Sequence, residues 1–460
     1  MKLLDTIAAI STPYGKGGVA MIRISGADAA KVGEAVFRPA SRKRLSEIPH
    51  ALCVYGEIVT PDGCSVDDGM ATYFRAPHSF TGEDTVEITC HGGILVTRKV
   101  LAAVLMAGAR AAEAGEFTRR AYLSGKLRLT QAEALGSLLE AATEGQLSLA
   151  RSGMKGHLSR RTDQIYEALR SVMTSIFAAI DFPDEDLAEM SRDEIAGQVR
   201  TALDGIRRLM KTYDTGRAMN EGIPTVICGR TNAGKSSVYN RIVGYDAAIV
   251  TDVEGTTRDV LRETATVGKT LLRLCDTAGL RKTEDLVESM GIERSREEMR
   301  RAGLILAVFD SSETPEEDDL ALAKEVEALG VPAIALWNKS DCAARADMSP
   351  LAACFTHSLS VSAKDGEGFS ELGEIIDGLF IDGALDIGQD AVVTGARQFA
   401  ALCSAEEALS SSLSDLTAEL PLDLCCVGIE DALISLGEVD GRELGEEIVA
   451  EIFSRFCVGK

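Results

Sequence analysis

Residues 229–236, Gly-Arg-Thr-Asn-Ala-Gly-Lys-Ser, constrain the fold of this chain more than any other stretch. They match the pattern G-x-x-x-x-G-K-[ST] without a mismatch. The apolar run at 225–228 before them predicts a short buried strand, and residues 237–243 after them predict a helix. In that context backbone N–H groups turn inward around a phosphate, and the helix start adds its unpaired donors. We therefore predict a phosphate-binding loop in which Lys235 reaches the β- and γ-phosphates and the Ser236 hydroxyl binds Mg²⁺.

Four further motifs follow in the order that a guanine-nucleotide site requires. They are G-T-T-R-D at 255–259, D-T-A-G at 276–279, N-K-S-D at 338–341 and S-A-K at 362–364. Most of them come directly after a predicted strand, so they should meet at the carboxyl edge of a parallel sheet.

Each motif has a chemical role in such a site. We expect Asp276 to hold Mg²⁺ through water and Thr257 to close over Mg²⁺ and the γ-phosphate. The Asp341 carboxylate can accept two N–H bonds from guanine, whereas adenine presents no matching pair of donors. The five motifs together predict binding of GTP and disfavour ATP.

The residue after D-T-A-G departs from the Ras pattern. Ras-type GTPases carry a glutamine there that orients the attacking water, but this chain has Leu280, which cannot do so. Catalysis must then come from another group, or the protein is a slow switch. Arg281 is a candidate internal arginine finger, with an exposed switch-loop cation as the equal alternative. The other nearby polar candidates are Glu284, Asp285 and Glu288.

Strand and helix patterns divide the chain into four segments. Residues 1–124 predict a small α+β domain, whereas 125–216 and 384–460 carry helical periodicity. Residues 217–383 alternate strand and helix patterns, which predicts a mostly parallel sheet with helices on both faces. The predicted fold class is thus multidomain α/β plus α, with a Ras-like P-loop GTPase domain inserted into a helical domain. Two separate helical domains are the alternative arrangement.

Composition and charge narrow the class of protein. The 460 residues include 45% hydrophobic and 26% charged side chains, which is ordinary for a soluble globular protein. No apolar stretch approaches the length of a membrane span, and Asp5 interrupts the short apolar start, so we expect no signal peptide and a cytoplasmic location. The eleven scattered cysteines predict reduced thiols.

The net charge of −23 argues against a generally basic nucleic-acid-binding protein. Local basic clusters occur at 119–128 and 151–161, where solvated helix faces are at least as good an interpretation. Just after the first of these clusters, Thr130 and Glu133 are expected to form a capping box at the start of a helix.

Motifs at both ends of the chain resemble the MnmE (TrmE) family of tRNA-modification GTPases. The likeness runs nearly from end to end, and Phe456-Cys457-Val458-Gly459-Lys460 is similar to the family's terminal signature. Thr231 stands where many members have proline, and Val458 where isoleucine is common. The other matching stretches are D-T-I at 5–7, R-I-S-G at 23–26, S-F-T-G-E-D at 79–84, H-G-G at 91–93, G-E-F-T-R-R-A at 115–121, G-K-L at 125–127 and Q-A-E-A at 131–134.

The resemblance implies a mechanism for GTP hydrolysis. The G domains would dimerise across a K⁺ ion that acts in place of an arginine finger. Glu288 would orient the attacking water through a second water, which answers the problem raised by Leu280. The implied K⁺ ligands are Asn232, Thr251, Val253 and Thr256. The predicted catalytic residues are Glu288, Asn232, Lys235 and Arg281. The predicted GTP contacts are Asn232, Ala233, Gly234, Lys235, Ser236, Ser237, Thr251, Asp252, Val253, Glu254, Gly255, Thr256, Thr257, Asp276, Thr277, Ala278, Gly279, Asn338, Lys339, Asp341, Ser362, Ala363 and Lys364.

The resemblance also implies a folate site and partners. The N-terminal domain would form a homodimer and bind 5-formyl-tetrahydrofolate through Arg23, Glu87, Lys126 and Lys460, and would have to receive Lys460 from the helical domain. The partner would be MnmG, a flavoprotein, and the product an aminomethyl-type or carboxymethylaminomethyl group on the wobble uridine of certain tRNAs. A regulatory GTPase that binds ribosomes or RNA, and a one-carbon transferase without tRNA, are the alternatives. Cys457 is either a catalytic thiol or, as we favour, a buried or structural one.

Overall fold

A computed structural model of the chain describes residues 5–181, 190–245, 264–275, 296–342, 346–383, 385–442, 444–454 and 456–459. The chain divides into two compact units. The first comprises Met1–Gly136 together with Ile434–Lys460, and the second comprises Ser137–Leu433. The predicted boundaries at 124, 216 and 383 remain predictions.

The first unit is built on a seven-stranded sheet. The strands are β1 (Ile7–Ile10), β2 (Val19–Ser25), β3 (Phe37–Pro39), β4 (Cys53–Val59), β5 (Ser65–Phe74), β6 (Thr85–His91) and β7 (Arg110–Ala111), in the sheet order β3-β4-β5-β6-β2-β1-β7. Its helices are α1 (Ala29–Val36), α2 (Ile94–Met106), α3 (Glu116–Leu123) and α15 (Glu446–Ser454). The core lies between the sheet and helices α1 and α2, where Ile22, Val86 and Val100 are fully buried. The predicted α+β domain is confirmed, and the glycine-rich turn at 13–18 joins the antiparallel pair β1 and β2.

The C-terminal segment of the chain lies against the first strand of this unit. The Ser11 hydroxyl donates to the Gly459 carbonyl at 3.0 Å, and Ala114 forms an isolated β-bridge with Val458. The Gly115 N–H donates to the Cys457 carbonyl at 3.3 Å. Residues 457–459 are therefore held by the N-terminal domain of their own chain.

The second unit contains a six-stranded sheet. Its strands are β8 (Ile223–Cys228), β9 (Thr264–Val267), β10 (Thr270–Leu274), β11 (Leu304–Asp310), β12 (Ala333–Asn338) and β13 (His357–Ser360), in the sheet order β13-β12-β11-β8-β10-β9. Strand β9 pairs antiparallel with β10, and the other neighbouring strands pair in parallel. Strands predicted from the sequence at 225–228, 271–274, 304–309, 333–337 and 359–361 correspond to every strand of this sheet except β9, whose four residues also suit a loop.

Helices cover both faces of this sheet, as a doubly wound fold requires. On one face lie α9 (Lys235–Tyr245) and α12 (Phe369–Phe380), and on the other α10 (Glu317–Leu329) and α11 (Ser349–Ala352). The strands in the middle of the sheet are buried on both sides, so β11 reads as the continuous apolar run Leu-Ile-Leu-Ala-Val-Phe. This arrangement is the predicted P-loop GTPase fold.

The helices that precede and follow this sheet in the chain pack together. They are α5 (Glu144–Met154), α6 (His157–Asp181), α7 (Arg192–Lys211), α8 (Tyr213–Asn220) and α13 (Ala396–Thr417). Helix α7 packs along α13, where Arg207 pairs with Glu406 at 2.6 Å. Tyr213 stacks on Phe399 with ring centroids 4.2 Å apart. The GTPase fold is therefore inserted into one helical domain rather than placed between two.

The predicted capping box at Thr130 and Glu133 is wrong. Helix α4 (Leu129–Glu140) begins one residue before Thr130, and the Thr130 hydroxyl donates to the carboxylate of Asp440 at 3.0 Å. The side chain of Gln131 accepts the N–H of Arg128 instead, at 3.0 Å. Asp440 belongs to α14 (Leu422–Asp440), so a residue about 300 positions away decides the role of Thr130.

Candidate functional site

The loop between β8 and α9 has the backbone of a phosphate cradle. Gly229 and Gly234 have φ angles of +150° and +96°, and Asn232 between them has φ of +64°. A Cβ atom at Gly229 would strike the Val308 carbonyl, and one at Gly234 would strike the side-chain amide of Asn338. Both glycines are therefore required by close approach as well as by conformation. Helix α9 begins at Lys235, as the phosphate-loop prediction requires.

The Lys235 side chain is hydrogen-bonded to the backbone of this loop. Its ammonium donates to the Gly229 carbonyl at 2.8 Å and to the Arg230 carbonyl at 2.7 Å. Burial lowers the pKa of Lys235 because charge is less well solvated there. The ammonium is held by neutral carbonyl groups, so its charge is available to an anion such as a phosphate.

Ser236 and Ser237 follow in the first turn of α9, and both are exposed. A serine hydroxyl at a helix start beside a phosphate loop is a suitable oxygen ligand for Mg²⁺. Among the described residues, no three His, Cys, Asp or Glu side chains form a group that could hold a metal ion.

Asn338 joins the phosphate loop to the two base-binding loops. Its amide nitrogen donates to the Ala233 carbonyl at 3.0 Å, and its amide oxygen accepts the Ala363 N–H at 3.2 Å. The side chain is 2% exposed, so these bonds are made away from water, where leaving them unmade would be costly. One amide therefore brings together three motifs that are up to 130 residues apart.

The other base-binding residues lie around Asn338. The buried Ser362 hydroxyl donates to the Asp341 carboxylate at 3.0 Å, and the Lys364 ammonium lies 3.8 Å from the same carboxylate. Lys339 has a φ angle of +66°, which turns the chain sharply between Asn338 and Asp341. These contacts fix an acceptor carboxylate at the carboxyl edge of the sheet, where the sequence predicted the guanine pocket.

Many predicted site residues lie outside the described residues. They are Thr251, Asp252, Val253, Glu254, Gly255, Thr256, Thr257, Asp276, Thr277, Ala278, Gly279, Leu280, Arg281, Glu284, Asp285, Glu288 and Lys460. Of the predicted K⁺ ligands, Asn232 is described, and it is exposed in the phosphate loop.

The residues predicted to bind folate lie in the first unit. Arg23 on β2 pairs with Glu87 on β6, with both hydrogen bonds directed to one carboxylate oxygen at 2.8–2.9 Å. The Arg23 guanidinium lies 5.4 Å from the ring centre of Phe80 and 5.7 Å from that of Phe117. The Lys126 ammonium donates to the Pro77 carbonyl at 3.1 Å.

Two members of the first predicted basic cluster are paired with carboxylates of the fold. Arg120 is 2% exposed and binds the carboxylates of Asp5, Glu83 and Glu116 at 2.8–3.2 Å. Arg128 pairs with the buried Asp440 at 2.9 Å. Arg120 therefore belongs neither to a nucleic-acid-binding patch nor to a solvated helix face, because these carboxylates neutralise its charge inside the fold.

Cys457 is exposed rather than buried.

Sequence reasoning missed two polar residues that touch the nucleotide-site loops, Arg230 and Asp310. Arg230 occupies a variable position of the phosphate-loop pattern, and Asp310 belongs to no motif. The one available signal was that Asp310 ends the apolar run of β11, at the same sheet edge as the motifs.

Comparison with known proteins agrees with this arrangement. Residues 6–126 match the family described as GTP-binding protein TrmE N-terminus, and residues 129–457 match the MnmE helical domain. The tRNA modification GTPase MnmE of Geobacillus kaustophilus is 39% identical over 464 residues, covering 100% of both chains. The protein of the same name from Symbiobacterium thermophilum is 40% identical over 458 residues, covering 99% of each. That of Bacillus subtilis is 37% identical over 461 residues, covering 99% of this chain and 100% of the relative.

Both family matches lie on the units in which the phosphate loop, the base pocket and the Arg23–Glu87 pair have just been described. On this similarity, which extends over the full length of the relatives, the chain belongs to the MnmE (TrmE) family.

Proposed function

We propose that this chain is a GTP hydrolase that acts in tRNA modification. The observation that carries the proposal is the Asn338 side chain, which ties the phosphate loop to the base-binding loops. The names of the relatives supply the tRNA part of the proposal. No described helix is long and apolar enough to cross a membrane.

In the hydrolysis step, water attacks the γ-phosphorus, the bond to the β-phosphate oxygen breaks, and GDP and phosphate leave. Lys235 and the N–H groups at the start of α9 bind the phosphates and oppose the negative charge of the transition state. Asp341 accepts the guanine N–H groups and so fixes the base. These residues set the position of the γ-phosphate.

We further propose that hydrolysis depends on K⁺ and on dimerisation of the G domains. Asn232 is exposed at a left-handed turn of the phosphate loop, and an amide oxygen is a suitable ligand for a hard cation. A bound K⁺ would neutralise developing charge on the phosphates. Thr251, Val253, Thr256, Glu288 and Arg281 keep the roles stated for them above as parts of this proposal, together with Mg²⁺ at Ser236 and Thr257.

The test of this part compares GTP turnover in K⁺ and Na⁺ at equal ionic strength. We expect much lower turnover in Na⁺ for the natural chain, and little difference between the two salts for Asn232→Ala. Glu288→Ala should bind GTP normally but hydrolyse it slowly. Equal turnover of the natural chain in both salts would contradict the cation mechanism, and normal turnover of Glu288→Ala would remove that residue from catalysis.

A folate site in the N-terminal domain is the next part of the proposal. The Arg23–Glu87 pair lies between two aromatic rings, with side chains 13% and 21% exposed. One oxygen of Glu87 takes both bonds from Arg23, which leaves the other oxygen to accept from the polar edge of a pterin. The set therefore fits 5-formyl-tetrahydrofolate, which would supply a one-carbon group. Lys126 and Lys460 would bind the folate carboxylates.

Binding of 5-formyl-tetrahydrofolate, measured by titration calorimetry, tests this site. Glu87→Gln should weaken binding, whereas Glu57→Gln, a half-buried glutamate on β4, two strands away from β6, should not. Equal binding by both variants would place the folate elsewhere.

The remaining parts concern partners and product. We propose a homodimer through the N-terminal domain, a complex with the flavoprotein MnmG, a cytoplasmic location, and modification at C5 of the wobble uridine (U34) of certain tRNAs. Mass analysis of tRNA nucleosides from a strain lacking this chain is the test. Loss of the modified wobble nucleosides is expected, and unaltered nucleosides would favour a regulatory GTPase that makes no covalent change.

A further inference from the structure

One short connection of the second unit touches both the phosphate loop and the guanine loop. It consists of residues 310–316 together with Asp319, and we call it the brace. It begins at the end of β11 and runs into the first turn of α10. None of its residues belongs to a nucleotide-binding motif. Its contacts with the two loops are made by different side chains, which can be changed separately.

The first part of the brace holds the guanine loop. The Asp310 carboxylate, 7% exposed, pairs with the Lys339 ammonium and accepts the Ser312 N–H at 2.9 Å. Ser311 donates both its N–H and its hydroxyl to the Asn338 carbonyl, at 2.9 and 2.7 Å. Burial alone would raise the pKa of Asp310, but the hydrogen bonds from Lys339 and Ser312 lower it. Asp310 therefore stays ionised and bound to Lys339 at neutral pH.

The second part of the brace holds the phosphate loop. The Arg230 guanidinium pairs with Glu316, lies 3.1 Å from Glu313, and lies 3.9 Å from Asp319. Asp319 is itself fixed, because it accepts the Glu316 N–H at 3.0 Å. The Arg230 carbonyl accepts the Lys235 ammonium at 2.7 Å, so the position of Arg230 bears directly on the lysine that faces the phosphates.

We infer that the brace is a positioning element of the nucleotide site, which fixes the two loops at the separation that a guanine nucleotide spans. Its Asp310 end sets the orientation of the guanine loop, and its Glu313 and Glu316 end sets that of the phosphate loop. The inference rests on the proposed binding of GTP. It assigns nucleotide affinity and base selectivity to residues that need not touch the nucleotide.

Asp310→Asn tests the guanine end. The change keeps the shape of the side chain but removes its charge, so Lys339 is held less firmly. We expect GTP and GDP to bind about tenfold more weakly, and to the same degree, with a reduced preference over ATP. Fluorescent nucleotide titration measures this. Asp318→Asn removes a charge from an exposed position in the first turn of α10 and should change neither affinity nor preference.

The phosphate end allows a test that separates positioning from simple electrostatics. Removing a negative charge near the phosphates, as in Glu316→Gln, should strengthen GTP binding if only long-range charge matters. If the brace positions Arg230, the same change should weaken GTP binding, by about threefold since the pair is exposed. Glu317→Gln removes an equal charge one residue away and reports the electrostatic effect alone. Base preference should stay unchanged in both variants.

The outcomes separate this inference from the proposed function. If the natural chain does not bind GTP, the proposed function fails. If it binds GTP and Asp310→Asn and Glu316→Gln bind as their controls do, the brace has no positioning role. Ser311→Ala removes the hydroxyl bond to Asn338 and keeps the N–H bond. It tests the guanine end of the brace in place of Asp310→Asn if that variant does not fold. Unchanged guanine affinity in folded Ser311→Ala would then overturn the guanine half of the inference.

Discussion

Each of the two units holds a cation that is wholly or partly buried, and the groups that bind it are charged in the first unit and neutral in the second. Arg120 in the first unit is bound by the carboxylates of Asp5, Glu83 and Glu116. Lys235 in the second unit is bound by two backbone carbonyls. Burial opposes the charge of both groups, but the hydrogen bonds that Arg120 donates to the carboxylates more than compensate, so the pKa is raised at Arg120 and lowered at Lys235.

The difference indicates what each cation is for. A buried charge that is fully paired within the chain belongs to the fold, and its removal leaves other charges uncompensated. A half-buried charge that is held by neutral groups lowers stability a little and gains most when an anionic ligand arrives. The comparison therefore predicts that the first cation affects folding and the second affects binding.

The largest expected effect is that of Arg120→Met on folding. The change leaves three carboxylates around an apolar side chain, and we expect the free energy of unfolding to fall by about 4 kcal/mol. Urea unfolding measures this, and GTP affinity of the folded protein should not change. Arg98→Met, an exposed position on α2, is the matched control. A loss no greater than that of the control would mean that the Arg120 pairs contribute nothing to stability.

The next effect is that of Lys235→Met on binding. We expect GTP affinity to fall by about a hundredfold, because charge-assisted hydrogen bonds to the phosphates are lost. Stability without nucleotide should be unchanged or slightly higher, since an opposed charge has been removed. Nucleotide titration and urea unfolding give the two values, with Lys324→Met on the exposed face of α10 as control. If Lys235→Met lost much stability but bound GTP as tightly as the natural chain, Lys235 would act in folding and not in binding, contrary to the comparison.

Asp341→Asn should have a smaller effect on binding, and one that depends on the base. We expect GTP to bind about thirtyfold more weakly, because one charged acceptor of guanine N–H groups is lost. Xanthosine triphosphate should bind better to the variant than to the natural chain, since the new amide can donate to the xanthine 2-carbonyl. Competition between the two nucleotides checks this. Tight and selective GTP binding by the variant would refute the assignment of the base pocket.

The smallest effect concerns pH. For Glu116, burial would raise the pKa, but hydrogen bonds from Arg110, Glu113 and Arg120 lower it below 4.5. A lowered carboxyl pKa stabilises the fold above the value of the unfolded chain and loses that stabilisation as pH falls through the folded value. The stability difference between the natural chain and Arg120→Met should therefore shrink below about pH 4.5.

The stability contribution of Lys235 should also rise with pH, but on the alkaline side, because burial opposes its charged form. Its folded pKa lies below 10.5, so the natural chain should gain stability relative to Lys235→Met as pH rises toward that value. Urea unfolding at a series of pH values measures both differences. A difference that does not vary with pH for either variant would mean that these charges are not coupled to folding.

Local patterns in the sequence identified most of the second unit's sheet and its nucleotide loops. The glycines around Asn232 and the strand before each motif are local features, and local features are what a sequence displays directly. Strand β9 was missed because four residues carry too little periodicity to separate a strand from a loop. The order of the GTPase motifs, and the place of the phosphate loop and of the motifs at 338–341 and 362–364 at the carboxyl edge of the sheet, could thus be predicted from the sequence alone.

Tertiary structure alone decided the partners of the charged and polar side chains. Arg120 looks like part of a basic cluster, Thr130 like a helix cap, and Arg230 like a spacer in the phosphate loop. Their actual partners lie 37 to 310 residues away in the chain. They are Asp5 and Glu83 for Arg120, Asp440 for Thr130, and Glu316 for Arg230. The charge of a side chain can be read directly from the sequence. Whether that charge is paired depends on which distant groups the fold brings within a few ångströms of it.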